Sequence, residues 1–341
     1  MKVLLFCIVI LCLFATGWSE EENVSDSCPI PFGLPPVPWP VDNPYSSVKA
    51  ELGRLLFSDA RLSSDNTISC ATCHSIPKGF TDHHPLPEGI HGRRGTRHTP
   101  TIINTAYNSS QFWDGRALTL EEQALGPIGN PNEMTLECTK EEAYHIVLHK
   151  IHKVEEYKPL FSAAFGREEC TMEDIAKAIA TFERTLLSGN SPFDRYQAGE
   201  TTALTREQIH GFEVFKQVGC IVCHSGPNFT ESSFANIGIG MNKEQPDLGR
   251  FEVTRDPNDW GAFKVPTLRQ VRQTGPYMHD GSLKTLKDVV EYYDQGGIPN
   301  LNLDSLMRPL HLSSEEKHHL VLFLKSLNGE GFPDMPKAAI P

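Results

Sequence analysis

Cys70-Ala71-Thr72-Cys73-His74 and Cys220-Ile221-Val222-Cys223-His224 are two copies of one pattern, Cys-x-x-Cys-His. Two thiols separated by two residues reach the two vinyl groups along one edge of a porphyrin and bond to them as thioethers. The histidine that follows is then placed under the iron as its proximal ligand. A zinc site built from two Cys-x-x-Cys pairs would not call for a histidine beside each, nor set them so far apart. A thioredoxin-like dithiol usually opens a helix after a strand, and neither copy has a strand pattern before it. Paired disulfides leave the repeated histidine unexplained. The pattern predicts two covalently bound haem c groups, one on Cys70 and Cys73 with His74, the other on Cys220 and Cys223 with His224.

Each motif follows a segment of helical spacing, residues 48–57 before the first and 206–217 before the second. Each precedes a long loop bearing Gly and Pro. Two units of like plan imply an internal duplication, with one haem in each. Helix-start signals recur: Thr139 with Glu142, Thr171 with Asp174, Thr205 with Gln208 and Thr285 with Asp288 each set a hydroxyl three residues before a side chain that can answer it. Residues 172–187 carry Ile175, Ala178, Ile179, Phe182 and Leu186 at helical intervals. Strands with period-two alternation are scarce, so the predicted fold class is mainly α. Seven prolines within residues 28–44 preclude helix there and predict an extended segment lying on the first unit. The boundary is expected near residues 189–199, where Ser-Gly-Asn-Ser-Pro breaks the helix.

Lys2, an apolar run over residues 3–15, then Thr16, Gly17, Trp18 and Ser19 ahead of Glu20 to Glu22 describe a secretory signal peptide, cleaved after Gly17 or Ser19; the alternative is an uncleaved membrane anchor, for which the run is short. This predicts export, to the periplasm in a bacterium. No later run reaches the roughly 20 apolar residues that span a bilayer, which excludes a transporter or channel and stable membrane insertion. The chain has 341 residues with 43 acidic against 31 basic, a net charge of −12. That balance argues against nucleic acid and suits a small basic protein partner. Cys138 and Cys170, each just before a predicted helix, are disulfide candidates in an oxidising compartment, which leaves Cys28 without a role. The expected order is a signal peptide (1–19), a Pro-rich segment (20–44), a first haem domain (45–190), a second (191–330) and a tail (331–341).

Further strings carry a resemblance. Phe112-Trp113-Asp114-Gly115-Arg116-Ala117 is followed by Glu122-Gln123-Ala124-Leu125, Pro127-Ile128 and Asn132-Glu133-Met134. The second half has Phe263-Lys264-Val265-Pro266-Thr267-Leu268-Arg269 and Gly275-Pro276-Tyr277-Met278-His279-Asp280-Gly281. In this order, from about residue 52 to 327, the chain resembles the bacterial dihaem cytochrome c peroxidase and MauG family. The resemblance implies two cytochrome c-like domains, each wrapped around one covalently attached haem. It makes the His74 haem the peroxide-reacting one, with Gln123, Glu133 and Pro127 in its pocket, and sets Trp113 between the two haems. The His224 haem becomes the electron-transfer one, with a second ligand that is methionine in the peroxidases and tyrosine in MauG. Counting from the Pro-Tyr-Met-His-Asp-Gly string puts that ligand at Tyr293, with Tyr292 and Met278 as competitors. His91 resembles in position a histidine that caps the first iron in resting peroxidases, and it reads equally as a solvated loop residue; His83 and His84 read as surface residues.

The chemistry of the residues agrees. Breaking a peroxide bond requires a proton moved from the inner oxygen to the outer one, which a carboxylate such as Glu133 can do as base and then acid. Gln123 can hydrogen-bond the bound peroxide, and the Trp113 indole shortens electron steps between distant metals. Taken alone, Glu133 would cap a turn, Gln123 would face solvent and Trp113 would pack a core. Tyr293 falls near the end of a helix begun after Thr285 and stopped by Gly296-Gly297, and a phenolate on iron lowers its potential relative to methionine. One string departs from the family. Where the family often has Arg-Asn-Thr-Pro, whose Asn binds a calcium ion with backbone carbonyls, this chain has Arg97-His98-Thr99-Pro100. The carbonyl positions correspond to Thr274 and Pro276, but imidazole is a poor ligand for a hard cation. The expected function is reduction of hydrogen peroxide with electrons from a small cytochrome c or other redox protein. MauG-like oxidation of a partner protein and a non-catalytic dihaem electron carrier are the alternatives, and a homodimer is left open.

Overall fold

The computed structural model describes residues 27–331; the expected signal peptide and all but the first residue of the tail lie outside them. The described chain is mainly helical. Helices α1 (Ser47–Ser58), α2 (Cys70–Cys73), α3 (Leu120–Ile128), α4 (Lys140–Ile151), α5 (Tyr157–Phe165) and α6 (Met172–Arg184) make the first half. Helices α7 (Pro192–Gln197), α8 (Arg206–Gln217), α9 (Phe251–Thr254), α10 (Leu286–Asp294) and α11 (Ser314–Lys325) make the second. The short strands β1 (Phe234–Ala235) and β2 (Phe263–Lys264) pair antiparallel, Phe234 opposite Lys264.

The four capping pairs read from the sequence all form, at the starts of α4, α6, α8 and α10. In each, the Thr hydroxyl accepts from the third residue's backbone N–H, and that residue's side chain answers the Thr backbone N–H. Ser191 with Asp194 and Ser313 with Glu316 add two more of the same kind. The first of these corrects an expectation: the segment 189–199 is not simply a break. Ser191 caps and Pro192 occupies the first helical turn, where a missing N–H costs nothing; α6 has already ended at Arg184, so these residues start α7 and do not stop the helix before it.

Both halves repeat one helix crossing. α1, which leads to the first motif, packs on α6; α8, which leads to the second, packs on α11. A Cβ at Gly53 would overlap the carbonyl oxygen of Ala178 and crowd Phe182, and one at Gly211 would overlap the carbonyl oxygen of His319 and crowd Phe323. Four residues on from each glycine stands a buried phenylalanine, and the rings meet across the crossing. Phe57 lies 5.2 Å from Phe182 and Phe215 lies 5.1 Å from Phe323, centroid to centroid. Around these pairs the buried apolar residues form two clusters. One draws on Leu52, Leu56, Ile175, Ile179 and Leu186, the other on Phe193, Phe229, Leu320, Leu324 and Leu327.

The proline-rich segment runs without helix over residues 27–46 and is tied down at its end. Asn43 Nδ2 donates to Glu121 at 2.6 Å and to the Lys177 carbonyl at 3.1 Å. Val37 packs with Leu187 and Ala106, with half-buried Cys28 at the edge of that cluster. Cys138 and Cys170 are not joined. Cys138 is exposed ahead of α4, whereas Cys170 is drawn into the first apolar cluster.

Because the glycine crossings admit no side chain, Gly53→Ala or Gly211→Ala should push the helices apart. Each is expected to cost about 2–3 kcal/mol, read as a lowered denaturant midpoint with an unchanged slope.

Candidate functional site

One cavity of about 700 Å³ is lined by both Cys-x-x-Cys-His motifs. Its walls include Cys70, Cys73 and His74 from the first half and Cys220, Cys223 and His224 from the second. The two histidines are held alike: His74 Nδ1 donates to the Phe80 carbonyl at 3.0 Å, and His224 Nδ1 donates to the Phe229 carbonyl at 3.0 Å. A carbonyl can only accept, so each Nδ1 carries the proton and each Nε2 keeps its lone pair for a metal. Both phenylalanines adopt left-handed backbone, φ 58° and 52°, which turns their carbonyls back toward the rings. Burial holds both imidazoles below the usual histidine pKa, which further favours the neutral ligand form. It also raises the thiols, Cys73 and Cys220 to about 12. Two facing thiols and an oriented imidazole at each end of an apolar-walled cavity fit the haem groups that the motifs predict.

On the first-half side, α3 contributes Gln123 and Pro127, and the turn after it contributes Glu133. The Gln123 Oε1 is buried with no hydrogen-bond partner, so its acceptor is free toward the cavity. Glu133 accepts from Asn130 Nδ2 at 2.5 Å. Burial raises its pKa above the usual carboxylate range, with Arg116 and the Asn130 bond pulling the other way. Arg116 is itself fixed, its guanidinium 3.5 Å over the Phe112 ring. Trp113 lines the same cavity and is clamped on both edges. Its indole Nε1 donates to the His98 carbonyl at 2.8 Å, and its own carbonyl accepts from the Lys264 backbone N–H at 2.7 Å.

In the second half, Tyr293 and Met278 line the cavity and Tyr292 does not. The Tyr292 hydroxyl is already used, donating to the Ile237 carbonyl at 2.8 Å and accepting from Ile298 N–H at 3.2 Å. Tyr293 faces the Cys220 and Cys223 thiols, and burial drives its phenol pKa well above the usual value. Thr274 and Pro276 also line the cavity. His98 is buried beside them, with Nδ1 donating to the His84 carbonyl at 2.7 Å and Nε2 closing no hydrogen bond. His91 stands outside the cavity, mostly exposed, 3.3 Å from Asp65. His83 is exposed as expected, yet its Nε2 reaches the Gln273 carbonyl at 2.8 Å and so touches both halves.

Three residues that sequence reasoning did not single out belong to this region. Arg97 joins the halves, donating to Asp114 at 2.5 Å and through two nitrogens to Asp247 at 2.6 and 2.8 Å. Lys264 is buried with Nζ on the Ser110 carbonyl at 2.8 Å, and its pKa falls to about 8 through burial. Glu183 lines the cavity from α6. Its only sequence signal was an acid directly after Phe182 on an apolar stripe.

The family model for di-haem cytochrome c peroxidase matches residues 47–202. The methylamine utilization protein MauG of Methylophilus methylotrophus is 37% identical over 334 residues, covering 96% of this chain and 95% of that protein. The cytochrome c551 peroxidase of Nitrosomonas europaea is 39% identical over 300 residues, covering 87% and 85%. Among solved structures, a MauG-like protein associated with microbial copper homeostasis superposes with a TM-score of 0.83 at 31% identity, over 92% of this chain and 98% of that one. A likeness that runs through both haem motifs and nearly the whole length makes this chain a member of the di-haem cytochrome c peroxidase family.

Proposed function

We propose that the protein is an exported dihaem peroxidase that reduces hydrogen peroxide to water, taking electrons from a small cytochrome c or other redox protein. The observation that carries this is that the free Gln123 acceptor and the buried Glu133 carboxylate line the cavity shared with His74, with Glu133 near enough to influence Cys70 and Cys73. Haem held at Cys70, Cys73 and His74 supplies the iron at which the O–O bond breaks; haem held at Cys220, Cys223 and His224 supplies the route for incoming electrons. Glu133 takes the proton from the inner peroxide oxygen and returns it to the outer one, which leaves as water. Two further protons and two electrons complete the second water. Gln123 orients the peroxide by accepting its hydrogen bond, and Pro127 shapes the wall beside it. Trp113, whose indole is held by its bond to the His98 carbonyl, would relay electrons between the two haems. No helix among the described residues is long and apolar enough to cross a membrane. Export rests on the N-terminal signal pattern, and the net charge of −12 favours a basic donor protein.

Tyr293 favours a second reading. Of the three candidates for the second ligand, Tyr293 and Met278 line the cavity while Tyr292 is bonded elsewhere, and the buried Tyr293 is near enough to feel the Cys220 and Cys223 thiols. A phenolate there lowers the potential and suits sharing of oxidising equivalents. That supports MauG-like oxidation of residues in a partner protein.

A calcium ion at the Thr274 and Pro276 carbonyls is not supported by the side chains around them. His98 presents an imidazole against the Thr274 carbonyl where a hard cation needs oxygen.

Glu133→Gln should slow the reaction with peroxide by about 10²-fold or more in rapid mixing; an unchanged rate would remove Glu133 from the mechanism. Since the base must be ionised and burial raises its pKa, the wild-type rate should fall on acidification from a midpoint above the ordinary carboxylate range. Tyr293→Met should raise the midpoint potential at the His224 end and increase turnover with reduced cytochrome c, whereas an unmoved potential would take Tyr293 off the iron. Dialysis against a calcium chelator should leave the visible spectrum and turnover unchanged, and loss of either would restore calcium to the site.

A further inference from the structure

Glu183 is a buried acid of the cavity wall to which the proposed reaction gives no role. It is 3% exposed, and its Oε2 is buried with no hydrogen-bond partner. The adjacent Arg184 cannot serve it, because that guanidinium is spent on Glu121 of α3 through bonds of 2.7 and 2.9 Å. The carboxyl lines the same cavity as Cys70, Gln123 and Glu133. After burial, it is the strongest influence on the Cys70 thiol, ahead of Glu133. With haem bound, Cys70 would anchor it by a thioether and not ligate the iron, so Glu183 would lie toward the porphyrin edge and not on the metal.

The groups around α6 leave this carboxyl alone. From α1 comes Lys49, which donates to Asn43 Oδ1 and the Pro44 carbonyl, each at 2.7 Å. From the turn at Thr105–Tyr107 comes Tyr107, whose hydroxyl donates to the Pro35 carbonyl at 2.8 Å. The remaining α1 contacts, Leu52, Leu56 and Phe57, are apolar. Desolvation therefore dominates, raising the Glu183 pKa to about 8, with Arg184 lowering it and Glu121 raising it. A carboxyl held near neutrality by burial responds strongly to a charge placed beside it, because the low local dielectric does not screen that charge.

We propose that Glu183 is a positioning residue that couples a proton to the oxidation state of the first haem: protonated beside the reduced iron, ionised beside the oxidised one. When an electron leaves that iron for peroxide or for the second haem, the added positive charge favours the carboxylate and one proton leaves Glu183. When an electron returns from the donor, one proton returns with it. The proposal rests on a haem occupying the Cys70, Cys73 and His74 site.

The test is a potentiometric titration of the haem-loaded protein, following the visible bands of the first haem across about pH 6 to 9. The wild-type midpoint potential should fall as pH rises through this window. Glu183→Gln, a neutral mimic of the same shape, should flatten that dependence while haem content and spectrum stay intact. Glu183→Asp, which keeps the acid, should retain the slope and displace it along the pH axis, so a folding defect in one variant does not decide the matter. A slope that persists in Glu183→Gln, that disappears in Glu133→Gln instead, or that is absent from the wild type would overturn the proposal. Such an outcome in fully loaded, peroxide-reactive protein sinks this inference alone. Absence of haem at His74 would sink the peroxidase reading with it.

Discussion

Two imidazoles pinned by backbone carbonyls are the constraint on which the site depends. A histidine that is free to rotate presents either nitrogen to a metal; one whose Nδ1 is tied to a carbonyl presents only Nε2. The chain produces this twice by the same device, a phenylalanine in left-handed backbone a few residues past the motif, Phe80 for His74 and Phe229 for His224. Both rings of those phenylalanines are buried, so packing holds the strained turn in place. The helix before each motif is seated just as firmly, since a glycine lets its backbone touch the partner helix. The duplication is thus legible in the contacts themselves: Gly53 with Ala178 and Phe182, Gly211 with His319 and Phe323.

The two halves are held to one another around Trp113. Its indole hangs on the His98 carbonyl, its own carbonyl takes the Lys264 N–H, and Arg97 bridges Asp114 and Asp247 close by. Those ion pairs are largely buried, and breaking one partner would strand a charge. These bonds tie segments of the first half to segments of the second.

The two carboxyls at the first site are set apart by what they touch. Glu133 receives a bond from Asn130 and feels Arg116, so its pKa, although raised, is tempered. Glu183 receives no bond and its neighbouring arginine is already paired, so burial acts on it almost unopposed. Acid and base assignments follow from such differences in surroundings more than from residue type. In the proposed reaction the first moves a proton during bond breaking; in the proposed coupling the second holds one.

Covalent chemistry and helix signals are local, which is why residues 70–74 and 220–224, the Thr-initiated caps and the apolar spacing of 172–187 could be read from the chain alone. The same locality misled at 189–199, where Pro192 opens α7 and is not the stop for α6, which ends at Arg184. It misled again at Cys138 and Cys170, whose like positions before helices said nothing of their unlike burial. Gln123, Glu133, Trp113 and Tyr293 could be named by resemblance, but only folding brings them to one cavity. Choosing Tyr293 over Tyr292 needed the hydrogen bonds that occupy the second phenol. Arg97, Lys264 and Glu183 received no role from the sequence because a charge matters to a site only through its partners and its burial, and both are made by segments far apart along the chain.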